Sequence, residues 1–194
     1  FTTQRLTLYN YTQFKAGFDM YKFRSMTDER DENGDLLPDD KRLPPFGATL
    51  RSTSLDELPE VFCILRGTMS VIGPRPQLVR DMVFMSDEQR MRHTAKPGLT
   101  GLAQVRGRNA VTWEEKLDWD LKYIEKVSFL GDVKILFETV AVVFKRSGIT
   151  DGENATALDY GDALLKAGKV STAQYDALQA QAKKLLEERK NNGR

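Results

Sequence analysis

Residues 54–76 read SLDELPEVFCILRGTMSVIGPRP. Leu55, Leu58, Val61, Phe62 and Leu65 recur at helical spacing and Gly67 is a stop signal, so a short helix is predicted from Ser54. Residues 70–72 are predicted as a strand that runs straight into Gly73-Pro74-Arg75-Pro76. A helix feeding a strand over so short a span points to a mixed α/β (α+β) fold of short strands and amphipathic helices.

The same stretch holds the first candidate chemistry. Asp56 and Glu57 sit at the predicted helix start, where the positive end of the macrodipole favours ionised carboxylates, as a nucleophile or a magnesium ligand requires. Ser54-x-x-Glu57 also spells a capping box, and acidic first turns are ordinary, so on its own the pair is better explained as structural. Against the box stands Pro59, whose missing N–H removes an intrahelical bond; that favours a later helix start and a role for Glu57 other than capping. In Gly73-Pro74-Arg75-Pro76 each proline fixes its own φ and holds the preceding residue extended, so the Arg75 stem leaves a stiff backbone. This is either a preorganised anion clamp or a rigid turn with an exposed arginine, and the two readings are even.

Upstream, residues 21–26 (YKFRSM) are predicted as a strand with Lys22 and Arg24 on one face, for which solvation is the usual fate. Residues 1–20 alternate aromatic and polar side chains without clear punctuation. Residues 28–45 read as a polar loop or hairpin turning at Asn33-Gly34, not a helix. Downstream, residues 86–93 are predicted helical behind a Ser86 cap. Residues 96–108 pack three glycines around a strand-like run. Either a backbone there approaches a ligand, with Arg106 and Arg108 meeting phosphate, or these are plain glycine turns. Residues 113–127 form a polar amphipathic helix and 132–144 a more apolar one. Beyond a linker at 148–153, residues 160–167 and 171–189 read as an αα-hairpin, with Ser171-x-x-Gln174 as a capping box. Its stripe of Tyr175, Leu178, Ala182 and Leu185 must be buried against the main body or another chain. The chain therefore divides into a core over 1–149 and a helical hairpin over 150–194.

Composition narrows the classes further. At 194 residues, 40% apolar and 29% charged, the chain can build a real core, which excludes collagen-like, low-complexity and wholly disordered readings. One cysteine, Cys63, leaves no intramolecular disulfide, and with a single histidine, His93, beside it, zinc fingers, three-histidine metal sites and Cys-His or Ser-His nucleophiles become hard to build; His93 is assigned no role. Net charge is +1, yet residues 66–108 carry eight cations against three carboxylates. Seven of the eight are arginines, the residue for bidentate phosphate recognition, so this is either a site for a phosphorylated partner or a solvated basic face. The balanced remainder argues against nucleic acid. No apolar run approaches the ~20 residues that span a bilayer. The sequence opens at Phe1, so an upstream membrane element is an open expectation.

Taken in order, the pieces YKFRSM, LRSTSLDELPE, RGTMSVIGPRP and KPGLTGLAQVRGRN, then a tryptophan helix and Asp132, closely resemble the bacterial sugar transferases of the monotopic polyprenyl-phosphate phosphoglycosyl transferase family. The resemblance covers residues 20–148. It implies transfer of a phosphosugar from a UDP-sugar to undecaprenyl (polyprenyl) phosphate at the cytoplasmic face of the bacterial inner membrane, starting glycan assembly. It implies that Asp56 attacks the β-phosphorus and expels UMP, leaving a phosphosugar-aspartyl intermediate, and that Glu57 supports Mg2+ or proton handling, the metal lying at Asp56 and Glu57. Lys22, Arg51, Arg75 and Arg108 become phosphate and nucleotide contacts and Asp132 a further polar site residue. The amphipathic helices are then expected to lie along the membrane lipid surface. Departures are the family's re-entrant N-terminal helix, which this sequence lacks, Cys63-Ile64 for asparagine-valine, Thr68 for an acidic residue and Arg106 for asparagine. Residues 1–20 match poorly. The 150–194 hairpin lies outside the shared core and is similar to short helical modules that mediate oligomerisation, which makes a homo-oligomer a possible partner state. Two competing readings are a catalytically silent membrane-peripheral scaffold assembling through that hairpin, and a soluble magnesium-dependent pyrophosphatase.

Overall fold

The computed structural model describes residues 3–10, 16–107, 111–145 and 158–192. Two small sheets organise the chain. β1 (Thr3–Asn10) and β2 (Ala16–Phe23) form an antiparallel ribbon, in register from Thr3 opposite Phe23 to Asn10 opposite Ala16. β3 (Ser70–Ile72) and β4 (Gly98–Thr100) pair in parallel, Ser70 opposite Gly98 and Ile72 opposite Thr100. The expected strand at 21–26 is thus the end of a longer one, and Arg24, Ser25 and Met26 lie beyond it.

Helices fill the rest. α1 (Asp39–Arg42) and α2 (Pro45–Ser52) precede a 3-10 helix (Leu55–Glu60) that continues into α3 (Val61–Leu65). The parallel β3–β4 crossover carries α4 (Val79–Met82), α5 (Asp87–Arg90) and a 3-10 turn (Met91–Thr94). After β4 come α6 (Leu102–Gly107), α7 (Trp113–Glu125) and α8 (Phe129–Lys145), then α9 (Tyr160–Lys166) and α10 (Thr172–Asn192).

Three expectations are corrected. Residues 28–45 do bend back at Asn33-Gly34, where Gly34 takes φ +85° and Arg30 bridges Leu36, but the loop also holds α1, and α2 opens on its last residue, Pro45. Proline suits the first helical position, where its absent N–H would be unpaired anyway, so prolines that read as loop instead start a helix. The strand-like run at 96–108 is half helix, turning into α6 straight after β4. The capping box at Ser54 does not form: Ser54 sits at φ +57° with no side-chain cap, and the α-helix begins only at Val61. The boxes at Ser86–Gln89 and Ser171–Gln174 do form.

The core lies in four clusters. Phe18 and Met20 of β2 pack on Cys63 and Met69, and Ile72 packs with Tyr123 and Ile135 of α7 and α8. Val79 and Val83 meet Ala182 of α10, while Met85 and Leu117 meet Tyr160 of α9. The hairpin's apolar stripe is therefore buried against the main body of its own chain. Polar contacts fasten it: the Tyr160 N–H donates to Asp81 Oδ1 at 2.8 Å, Trp113 Nε1 to the Leu158 carbonyl at 2.8 Å, and Arg80 pairs with Asp159 at 3.1 Å. The boundary expected near 149 and Arg108 both fall outside the described residues.

The β3–β4 crossing is a backbone contact. A Cβ on Gly98 would stand 2.1 Å from the Gly73 nitrogen, one on Gly101 2.0 Å from the Gly73 oxygen, and one on Gly73 2.3 Å from the Lys96 oxygen. These glycines serve chain-to-chain packing, a use beside both the ligand approach and the glycine turns expected for 96–108. No helix among the described residues is long and apolar enough to cross a membrane.

Candidate active site

Pro59 cannot donate the α-helical bond, and LDELPE winds as a 3-10 helix lying along β2. At three residues per turn, side chains three apart eclipse. Leu55 and Leu58 form one column and face outward, both exposed. Glu57 and Glu60 form another, turned inward, with side chains 15% and 3% exposed. Lys22, from the end of β2, reaches between them, its Nζ donating to Glu57 Oε1 at 2.6 Å and lying 3.2 Å from Glu60 Oε1. Arg24, expected on the same face, pairs instead with Asp28.

A second cation arrives from the loop after β3. Arg75 Nη2 donates to the same Glu57 Oε1 at 2.7 Å, and its side chain is still 44% exposed. Burial would raise the Glu57 carboxyl, but Arg75 and Lys22 outweigh it and hold the group down to about 2. Asp56 differs from its neighbour. Burial and the Glu57 charge push its carboxyl above the ordinary aspartate value, with Lys22 and Arg51 pulling the other way. Glu60 is likewise pushed up by burial. Arg51 is oriented by α2, its Nε donating to Ser25 Oγ at 2.9 Å and its Nη2 lying 2.8 Å from Met26 Sδ.

The fold thus gathers Lys22, Arg51, Asp56, Glu57 and Arg75. Asp132 is held from α7: its Oδ1 accepts the Tyr123 hydroxyl at 3.0 Å, and the same hydroxyl lies 3.4 Å from the Ile72 carbonyl, one residue before the Arg75 loop. The basic segment disperses in space. Arg80 pairs with Asp159, Arg90 with Asp87, Arg92 with Asp120 and Arg106 with Glu138, while Arg75 reaches the carboxylates. His93 is buried and pushed down to about 3 by burial and by Arg92 and Arg90.

Two features escaped the reading of the residues. Glu60 had a signal, its i+3 spacing from Glu57. Arg92, buried behind Arg75 and bonded to Asp120, had none, because its partner lies 28 residues away in the chain. As for a metal, the oxygen donors of Asp56 and Glu57 fit Mg2+, which takes one or two carboxylates together with substrate phosphates. Among the described residues no group of three or more metal-ligating side chains forms an all-protein cage.

The uncharacterized sugar transferase EpsL of Bacillus subtilis is 46% identical over 140 residues, covering 72% of this chain and 69% of that protein. The undecaprenyl-phosphate galactose phosphotransferase of Salmonella typhimurium is 37% identical over 148 residues, and the UDP-glucose:undecaprenyl-phosphate glucose-1-phosphate transferase of Klebsiella pneumoniae is 40% identical over 145. These matches cover 68% and 67% of this chain, but the chain spans only 31% of the length of either protein. The family described as bacterial sugar transferase matches residues 1–146, so the first twenty residues, expected to match poorly, are part of the match, and the C-terminal hairpin is not. The chain belongs to the bacterial sugar transferase family.

Proposed function

We propose that this chain transfers a phosphosugar from a UDP-sugar to undecaprenyl phosphate through a covalent intermediate on Asp56. The observation that carries the proposal is a carboxylate, Asp56, that feels the charges of Glu57, Lys22 and Arg51, in a cluster whose cation Arg75 is 44% exposed and paired with Glu57. In the first step an Asp56 carboxylate oxygen attacks the β-phosphorus; the bond from that phosphorus to the bridging oxygen breaks, and UMP leaves with that oxygen. In the second step a phosphate oxygen of undecaprenyl phosphate attacks the same phosphorus and returns the Asp56 carboxylate, giving the sugar on a diphosphate lipid. Arg75, Lys22 and Arg51 offset the diphosphate charge, and Arg75 can swing from Glu57 to phosphate because it is exposed. Arg108 remains a phosphate or nucleotide contact and Asp132 a further polar site residue in this reading. Mg2+ held by Asp56 and Glu57 would neutralise the diphosphate charge.

The acceptor is a lipid, and the surface beside the site is apolar. Leu55, Leu58, Phe62 and Leu65 are exposed along the 3-10 helix and α3. Leu58 and Phe62 also line an open groove of about 430 Å³ with Tyr21 and Phe23, and Arg66 on its wall. Such a face fits peripheral contact with the cytoplasmic side of the membrane, apolar side chains in the acyl boundary and cations toward headgroups. The scaffold reading draws less support, since the stripe it relies on is seated on Val79 and Val83.

Intact-protein mass spectrometry after incubation with magnesium and a panel of UDP-sugars tests the proposal, with UMP measured in parallel. Wild type gains a phosphosugar mass and releases UMP. Asp56→Asn loses both, a drop of about 10⁴-fold or more, the scale expected when a nucleophile is removed. UMP release that survives in folded Asp56→Asn rejects the covalent route.

A further inference from the structure

We infer that the buried Arg92–Asp120 pair is a positioning device for Arg75, fixing the backbone from which its guanidinium reaches Glu57. Arg92 is 1% exposed and Asp120 3%. Arg92 Nε and Nη2 both donate to Asp120 Oδ2, at 2.9 and 2.5 Å, and Nη2 also donates to the Arg75 carbonyl at 2.6 Å. The preceding carbonyl, that of Pro74, accepts the Gly98 N–H at 3.0 Å. Two successive carbonyls of the loop are therefore tied down, one to β4 and one to the guanidinium. The peptide bond after Arg75 has no N–H, because Pro76 follows, so its carbonyl is the one handle by which that peptide can be held.

The chemistry of arginine suits this task. Its planar fork makes several bonds in fixed directions, so one face can satisfy Asp120 while a hydrogen is left for the Arg75 carbonyl; a lysine ammonium has no such geometry. Well-packed apolar side chains of the same volume fill such a space without the cost of desolvating two charges, but they cannot hold a carbonyl. Arg92 and Asp120 touch neither carboxylate of the site, so they act through Arg75. The inference deepens the transfer reading and rests on it only for its kinetic readout.

Arg92→Lys retains a cation for Asp120 and loses the fork, while Asp120→Asn retains an acceptor and loses the charge. In the whole 15N-labelled chain the Arg75 Nε–H signal, assigned by its disappearance in Arg75→Ala, is expected to be rigid in wild type. It is expected to become mobile in Arg92→Lys under conditions where circular dichroism shows the variant folded; Asp120→Asn is read in the same way if the lysine variant does not fold. UMP release falls about 10- to 100-fold, mainly in kcat, as for a displaced catalytic group. In an Arg75→Ala background Arg92→Lys brings no further loss. An Arg75 signal as ordered in the folded variants as in wild type, or losses that multiply in the double variant, overturns the inference. A wild-type chain that releases no UMP from any donor overturns the transfer reading instead, and the order of Arg75 then decides the positioning role.

Discussion

Two clusters of cations and carboxylates meet back to back at Arg75, and they differ in what water can reach. In front, Glu57 takes Lys22 and Arg75 on one oxygen, and Arg75 keeps 44% of its side chain in solvent. Behind, Arg92 and Asp120 are sealed, at 1% and 3% exposure, and Arg92 spends its fork on Asp120 and the Arg75 backbone. The groups are chemically alike. Exposure decides their use: an open pair can trade a carboxylate for a phosphate, whereas a sealed pair holds a backbone and cannot be reached. Glu57 supports this division, because a carboxyl held at about 2 stays ionised and keeps its cations at any physiological pH until a stronger anion arrives.

The sharpest way to break the comparison is Asp120→Ala, which leaves Arg92 buried without its counter-charge. The expected loss is about 3–5 kcal/mol of unfolding free energy, measured by urea titration. A loss within 1 kcal/mol of zero, estimated on the scale of exposed pairs, removes the rear cluster from the frame. Next comes Arg75→Ala, expected to cut UMP release by about 10²–10³-fold, the scale for losing one donor to a developing anion. Because Arg75 is half in solvent, stability changes by no more than about 1 kcal/mol. A variant that melts much earlier yet turns over normally reverses the roles assigned to front and rear.

The smallest effect tests an intermediate case. Asp81 is as buried as Asp120, but its Oδ1 accepts the Tyr160 N–H rather than a guanidinium. Burial, then the Asp159 charge, pushes its carboxyl up to about 6 from an ordinary 3.8. The folded chain therefore holds a proton that the unfolded chain has released, so this contribution to stability is full below about pH 3.8 and is lost as pH rises through about 6. Asp81→Asn keeps an acceptor for Tyr160 and removes the charge; it is expected to raise the melting temperature at pH 7.5 and to change little at pH 4. A lower melting temperature at pH 7.5 shows that the ionised form is the one the fold uses.

Legibility in the sequence followed the range of the interactions. β3, α7 and the two C-terminal helices were readable because strand alternation, helical periodicity and capping residues act within a few positions. The tension between Ser54-x-x-Glu57 and Pro59 was a local signal too, and it resolved as read, with a later α-helix and Glu57 paired to cations. α2 was hidden by its own initiating proline, which looks the same in a loop. The dyad and Arg75 could be singled out as residue types, but neither the column of Glu57 over Glu60 nor the tie from Arg92 to Arg75 could, because one depends on 3-10 winding and the other on contacts across 17 and 28 residues. The eight cations counted together in 66–108 show the converse error, since charge gathered along a chain need not be gathered in space.

Gly73, Gly98 and Gly101 meet through main-chain atoms at distances that admit no Cβ. Side chains hop between rotamers in picoseconds to nanoseconds, and a loop located by them jitters with them. The strand end that leads into the Arg75 loop is located instead by peptide groups that have no rotamers to sample, so warming loosens the part held by the Arg92 side chain before it moves that end.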